Sequence, residues 1–413
     1  MTGTVPARKE RRSGVPDRVR GIELPPFDPL NLRAAELRAA GHDVISLGQA
    51  LPFYGPPPSA LAAARQALDT REVNLYSTDP GMPALRAALA DRLSGIGVVA
   101  SANDLIITAG GNHAFTLALT TMVDPGDEVI LPSPYFTNHQ MAVAALGAIP
   151  IEAPVGDRET FSIRWSDIEP YISSRTRAVV LCTPANPTGA VLDPAEGERI
   201  VSELATRKII LFSDETYLHL VYGRAHWSAA SVAGWRRNVI VIGTFSKSFG
   251  MMGWRVGFML ADADVCTEAV KIQDAMIICA PVISQMAALG AVRSDWDYPR
   301  SFHPGFLERR AALLDGIRAV PRLHWIPTSG AYFGFVRVDG CDDSAVLAES
   351  MLEDAHVVTL PGVAFGRSGE GHLRLSYGSA SVAEVTEALQ RVSAYFQRHR
   401  LVPSERQRIE GPD

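Results

Sequence analysis

The chain has 413 residues, of which 47% are hydrophobic and 20% charged, enough for about two to three domains with substantial cores. A formal net charge of −6 excludes a dedicated nucleic-acid surface, which needs a strong basic bias. Four widely separated cysteines (Cys182, Cys266, Cys279 and Cys341) without a C-x-x-C pair exclude a disulfide framework and a zinc pattern, leaving buried thiols in a reducing compartment.

In chain order, residues 1–30 read as a mobile arm. The first twenty are rich in Arg, Lys, Pro and Gly and have no apolar stretch of the secretory type. Six short apolar runs come next: Leu105–Thr108, Val129–Leu131, Ala178–Cys182, Ile209–Phe212, Val239–Ile242 and Val256–Leu260. They are rich in Val, Ile and Leu without polar alternation, which predicts strands covered on both faces, as in a largely parallel sheet. Helical spacing lies between them, as in Pro83–Leu93 and Glu196–Arg207. The longest uncharged stretch, Ala275 to Val292, contains Pro281, Ser284, Gln285 and Gly290. It reads as a buried loop and helix rather than a membrane span, so a cytoplasmic protein is expected.

Beyond about residue 300 the texture changes to helical Leu307–Ala319, strand-like Ala331–Val338, helical Ser344–Ala355 and strand-like Leu373–Leu375. The expected organisation is α/β. A large domain spans 56–298, a smaller α+β domain 299–402 recruits residues 31–55, and 403–413 form a tail.

Ligands of open α/β sheets bind where strands deliver their carboxyl ends. The first run leads into Gly110-Gly111-Asn112-His113, where backbone N–H groups at a helix start suit an anion, although a glycine pair is more often steric punctuation. The third ends in Asn186-Pro187-Thr188-Gly189, a rigid turn whose asparagine either does nothing more or offers its amide to a ligand oxygen. The fourth ends in Asp214-Glu215-Thr216-Tyr217, where Asp214 could simply cap a helix. The fifth leads into Thr244-Phe245-Ser246-Lys247, with Arg255 eight positions on. Amine, hydroxyls and arginine together suit an aldehyde carrying a phosphate.

These motifs, with Asn74-Leu75-Tyr76, Gly253-Trp254-Arg255-Val256-Gly257 and Leu373-Arg374-Leu375 in the same order and spacing, resemble those of class I/II pyridoxal-phosphate-dependent aminotransferases. The resemblance runs from about residue 30 to 395. It implies fold type I: a large domain with a mostly parallel, seven-stranded type of sheet between helices, plus a smaller α+β domain. It also implies pyridoxal 5′-phosphate as cofactor and Lys247 as the Schiff-base lysine and proton shuttle. Asp214 would be the partner of the ring nitrogen, and Asn186 and Tyr217 the pair at the 3′-oxygen. Arg255, Thr244, Ser246, Gly111 and Asn112 would hold the phosphate, with Phe136 stacked on the ring. Tyr76 would reach the neighbouring subunit's phosphate, which makes the active unit at least a homodimer. Arg374 would grip the substrate α-carboxylate with a bidentate fork, assisted by Asn186.

Two departures from the pattern stand out. His113 comes after Asn112 where the family often has other residues, and reads as a helix-interior group. Ala50, in Leu47-Gly48-Gln49-Ala50-Leu51-Pro52, replaces a glycine that touches the substrate carboxylate, so a methyl crowds the substrate side. The expected activity is transfer of the amino group of an L-amino acid to a 2-oxo acid. Decarboxylation, β-elimination (carbon–sulfur lysis) or oxidative deamination on the same cofactor is the alternative. A cofactor-sensing transcription regulator is set aside, because only about thirty residues precede the matching region and they lack helix-turn-helix patterning. No arginine is assignable to a second substrate carboxylate.

Overall fold

The computed structural model describes residues 14–399; residues 1–13 of the expected arm and the whole expected tail, 403–413, lie outside the described residues. Seven strands form the central sheet: β1 (Leu105–Thr108), β2 (Glu128–Ser133), β3 (Ile149–Pro154), β4 (Thr176–Cys182), β5 (Ile210–Asp214), β6 (Val239–Thr244) and β7 (Gly257–Leu260). Their order across the sheet is β1-β7-β6-β5-β4-β2-β3. All pairs are parallel except those of β7, which runs antiparallel to β6 and β1.

Six of these strands are the six apolar runs, and the alternation of their side chains feeds two cores. Leu105, Ile107, Val179, Leu211 and Val241 pack on one face with Leu85, Leu89 and Ile200. Ile106, Val180, Phe212, Ile240 and Ile242 pack on the other with Phe115 and Leu117. Burial on both faces is why polar alternation is missing from the sequence. The seventh strand, β3, escapes a reading of apolar runs because it lies at the sheet edge, is only partly buried and carries Pro150 and Pro154. Proline is tolerated at an edge because no ladder bond is lost.

A four-stranded antiparallel sheet stands apart from this one, in the order Leu360–Pro361, His372–Ser376, Phe333–Val338, Leu323–His324. The helices His303–Arg318, Ser344–Ala355 and Val382–Arg398 accompany it. Near the N-terminus, Ile45–Ser46 pairs in parallel with Val357–Val358. The helix α1 (Phe27–Ala39) buries Leu30, Ala34 and Leu37, spaced as one helical stripe, against Phe335, Leu352, Leu360 and Phe365. An ion pair from Arg33 Nε to Glu353 at 2.6 Å adds to this contact. Two helices thus begin inside the segment expected as an arm: Asp17–Arg20, which buries no residue, and α1, whose Leu30 has a core to enter. No helix among the described residues is long and apolar enough to cross a membrane. The stretch 275–292 divides between the helices Ala263–Ile277 and Val282–Ser294.

Candidate active site

A cavity of about 390 Å³ lies at the carboxyl ends of β4, β5 and β6, roofed by α1 and by the strand that carries Arg374. Strand direction explains the gathering. Parallel strands bring the residues at their carboxyl ends to one edge of the sheet: Asn186 after β4, Asp214–Tyr217 at the end of β5, Thr244–Lys247 at the end of β6. β7 runs the other way, so the residue before it, Arg255, arrives at the same edge.

One end of the cavity is built for an anion. Gly110 has φ +84°, and a Cβ there would lie 2.4 Å from Arg255 Nη2, so only glycine lets the guanidinium approach. The next residue opens α2 (Gly111–Met122), whose first N–H groups have no intrahelical partner. Thr244 and Ser246 hydrogen-bond each other at 3.0 Å, and Arg255 Nη1 donates to the Met252 carbonyl at 2.9 Å. No acid among the described residues lies within ion-pair distance of Arg255.

At the other end sits a carboxylate. Asp214 is 6% exposed; it accepts from the Thr216 N–H at 3.0 Å and meets His139 Nε2 at 3.0 Å. Burial by itself would push its pKa up, but the hydrogen bond and charge of His139, with the bonds from Thr216, hold it below the usual carboxylate range. Tyr217, behind it, is pushed up by burial. Phe136 lies beside His139, ring centroids 5.3 Å apart.

Lys247 lies between the two ends. Its Nζ donates to the Ala50 carbonyl at 2.7 Å, an oxygen that also receives the Tyr332 hydroxyl at 3.2 Å. Burial, then the charges of Arg374 and Arg255, push its pKa down to about 8. Tyr54 fixes the backbone there by donating to the carbonyls of Lys247 and Ser248 at 3.1 and 3.0 Å.

Arg374 is 3% exposed. It donates to Asn186 Oδ1 at 2.9 Å and to the Gly48 carbonyl, while its Nε–H is buried with no partner. Its guanidinium carbon lies 4.8 Å from the Phe333 ring centre and 5.1 Å from that of Phe365. Burial lowers its pKa to about 10. A buried guanidinium with an idle donor and no acid at hand is costly unless an anion completes it.

Every candidate residue except Tyr76 lines this one cavity, Ala50 and Asn112 included. Tyr76 is 76% exposed. His113 is not a lining residue; its Nδ1 accepts from the Ala109 N–H at 3.0 Å, a local capping role. Sequence reasoning missed His139, Tyr332 and Tyr54, and missed Phe27, Asn31 and Leu360 in the cavity wall. A histidine inside the uncharged helix Thr137–Leu146 and a phenylalanine at a helix start carry no local signal of the group they will face.

The model of the family described as aminotransferase class I and II matches residues 42–392. An aspartate aminotransferase of Pyrococcus abyssi is 32% identical over 372 residues, covering 89% of this chain and 95% of that protein. Aromatic-amino-acid aminotransferase 2 of Thermococcus litoralis is 32% identical, covering 87% and 93%. Among solved structures, aspartate aminotransferase from Thermus thermophilus with maleate is similar at a TM-score of 0.86 and 30% identity, covering 92% of this chain and 99% of that one.

Proposed function

The chain belongs to the class I and II aminotransferases, pyridoxal 5′-phosphate enzymes that pass an amino group from an amino acid to a 2-oxo acid, and on that premise we propose that Lys247 bonds the cofactor's aldehyde. The cavity fits that cofactor group by group. The Gly110 turn, the start of α2, Thr244, Ser246 and Arg255 form the cradle for its phosphate. Asp214 would offer an ionised acceptor to a protonated ring nitrogen, Asn186 and Tyr217 would meet the ring's oxygen, and Phe136 would offer a stacking face.

When bound, the cofactor supplies a ring that accepts electrons as the bond to the substrate's Cα hydrogen ionises. The chain's own groups do the rest. Arg374 takes the α-carboxylate with its idle Nε–H and the adjacent Nη, leaving Asn186 to hold the other side of the fork. Lys247, with its amine pKa already low, moves the Cα proton near neutral pH. Transamination is the activity, rather than decarboxylation, elimination or oxidation, in line with the aminotransferases the chain is similar to.

The finer readings belong to the same proposal. Tyr76 and Leu75, 76% and 48% exposed and outside the lining of their own cavity, would complete the cavity of a second copy, in a homodimer. The large domain is assigned to 56–298 and the small one to 299–402 with residues 31–55, where 400–402 lie outside the described residues. Free cysteines agree with a cytoplasmic location.

The observation that carries the proposal is a buried amine of lowered pKa held between an anion cradle and an ionised carboxylate. Borohydride reduction of cofactor-loaded protein, then peptide mapping, is expected to place the pyridoxyl mass on Lys247 in the segment Thr244-Phe245-Ser246-Lys247. A label on another lysine, or none after excess cofactor, would sink it. Lys247→Ala is expected to lower the rate by roughly 10²–10⁴-fold.

A further inference from the structure

The wall beside Arg374 is made of uncharged groups. Phe27 and Asn31, one turn apart on α1, line it with Gln49, Leu51 and Leu360. Phe27 lies 5.9 Å from the Arg374 guanidinium carbon. Leu360 is the strand partner of Arg374 in the register of the small sheet, so it stands directly beside the place where an α-carboxylate would dock.

The lysines and arginines of the described lining are Lys247, Arg255 and Arg374, and each already has a task. Arg255 is at the phosphate cradle, Lys247 at the aldehyde, and Arg374 at the α-carboxylate. A second carboxylate on the substrate would enter beside Phe27 and Leu360 with no lysine or arginine of this wall left to meet it. An unpaired carboxylate taken out of water is strongly disfavoured. An apolar side chain in the same place is favoured, because its surface leaves water.

The roof is held in place independently of any ligand. Leu30, Ala34 and Leu37 anchor α1 in the core formed with Phe335 and Phe365, and Arg33 reaches Glu353 with both Nε and Nη2, at 2.6 and 2.8 Å. Phe27 and Asn31 are therefore preorganised walls rather than passing contacts.

We propose, building on the assignment of Lys247 and Arg374 above, that the amino donor carries an uncharged, largely apolar side chain, and that Phe27 and Leu360 select it. The test is a single-turnover absorbance measurement on cofactor-loaded enzyme with each of the twenty common amino acids. Phenylalanine or leucine is expected to react with kcat/KM at least about tenfold above aspartate and glutamate.

Two variants make the assignment specific. Phe27→Ala is expected to lower kcat/KM for phenylalanine by roughly tenfold, while alanine, too short to reach that wall, changes by less than about threefold. Asn31→Lys is expected to raise kcat/KM for aspartate by about tenfold by supplying the missing cation. Aspartate, glutamate, lysine or arginine as the best donor would overturn the inference and leave the aminotransferase reading standing. An equal loss for phenylalanine and alanine in Phe27→Ala would remove Phe27 as a selector. Reaction with no amino acid at all would instead strike the proposed function, and this inference with it.

Discussion

Asp214 and Glu215 are neighbours on one strand end, both are buried acids, and both face a buried histidine. Asp214 meets His139 at 3.0 Å, and Glu215 meets His226 at 2.8 Å. Their side chains point to opposite faces of the sheet because strand residues alternate. Glu215 is 1% exposed, and besides His226 it accepts from Ser213, Ser228 and the Ala229 N–H, each at 3.0 Å. Three of these bonds end on Oε1 and the one with His226 on Oε2, nearly all that a carboxylate with about four acceptor sites takes. Asp214 receives Thr216, through its N–H and its side chain, and His139, and it lines the cavity, which Glu215 does not. Two acids of similar burial thus serve opposite ends. Glu215 pins the loop 226–229 to the sheet, and Asp214 opens on the cavity.

Replacing each acid by its amide separates the two roles. Asp214→Asn is expected to lower kcat by roughly 10²–10³-fold, as loss of a preorganised charge at the reacting group does, with a melting temperature near that of the parent. An active Asp214→Asn enzyme would erase the distinction. Glu215→Gln is expected to show the reverse, an ordinary cofactor absorbance and near-normal kcat. Its stability should fall by about 3 kcal/mol, because removing one member of a buried pair strands the other. Chemical denaturation alongside the kinetics reads both quantities.

A smaller effect concerns His219, in the same structural wall. Burial, then the charges of Arg300, His226 and His303, push its pKa down to about 3, and neither ring nitrogen has a partner. The folded pKa lies below that of the unfolded chain, about 6.5. The neutral form's stability is therefore fully present above that value and is lost as the pH falls toward 3. His219→Phe is expected to flatten the fall in melting temperature between pH 7 and pH 4.5. An unchanged slope would assign that acid sensitivity to other groups.

Much of the site was legible in the sequence because its chemistry is local in the chain. A strand, a short turn and the residue types just beyond it bring Asn186, Asp214, Thr244, Ser246 and Lys247 to one edge, since parallel strands share a direction. Tyr217 and Arg255 came with them as parts of the same ordered motifs. The strands themselves were readable wherever both faces are buried, and β3 was not, because an edge strand with two prolines carries no continuous apolar run.

What the tertiary structure decided is everything that depends on approach across long chain separations. The pairing of His139 with Asp214 joins residues 75 apart in the chain, and the bond from Lys247 to Ala50 joins residues 197 apart. The roof that α1 lays over Arg374 packs on Leu360, in the edge strand of the small sheet, and on Phe365 in the turn just after it. Residue type and spacing encode which groups a strand will deliver. Which groups meet is set by packing, because hydrogen bonds and burial depend on distances of a few ångströms that no short stretch of sequence specifies.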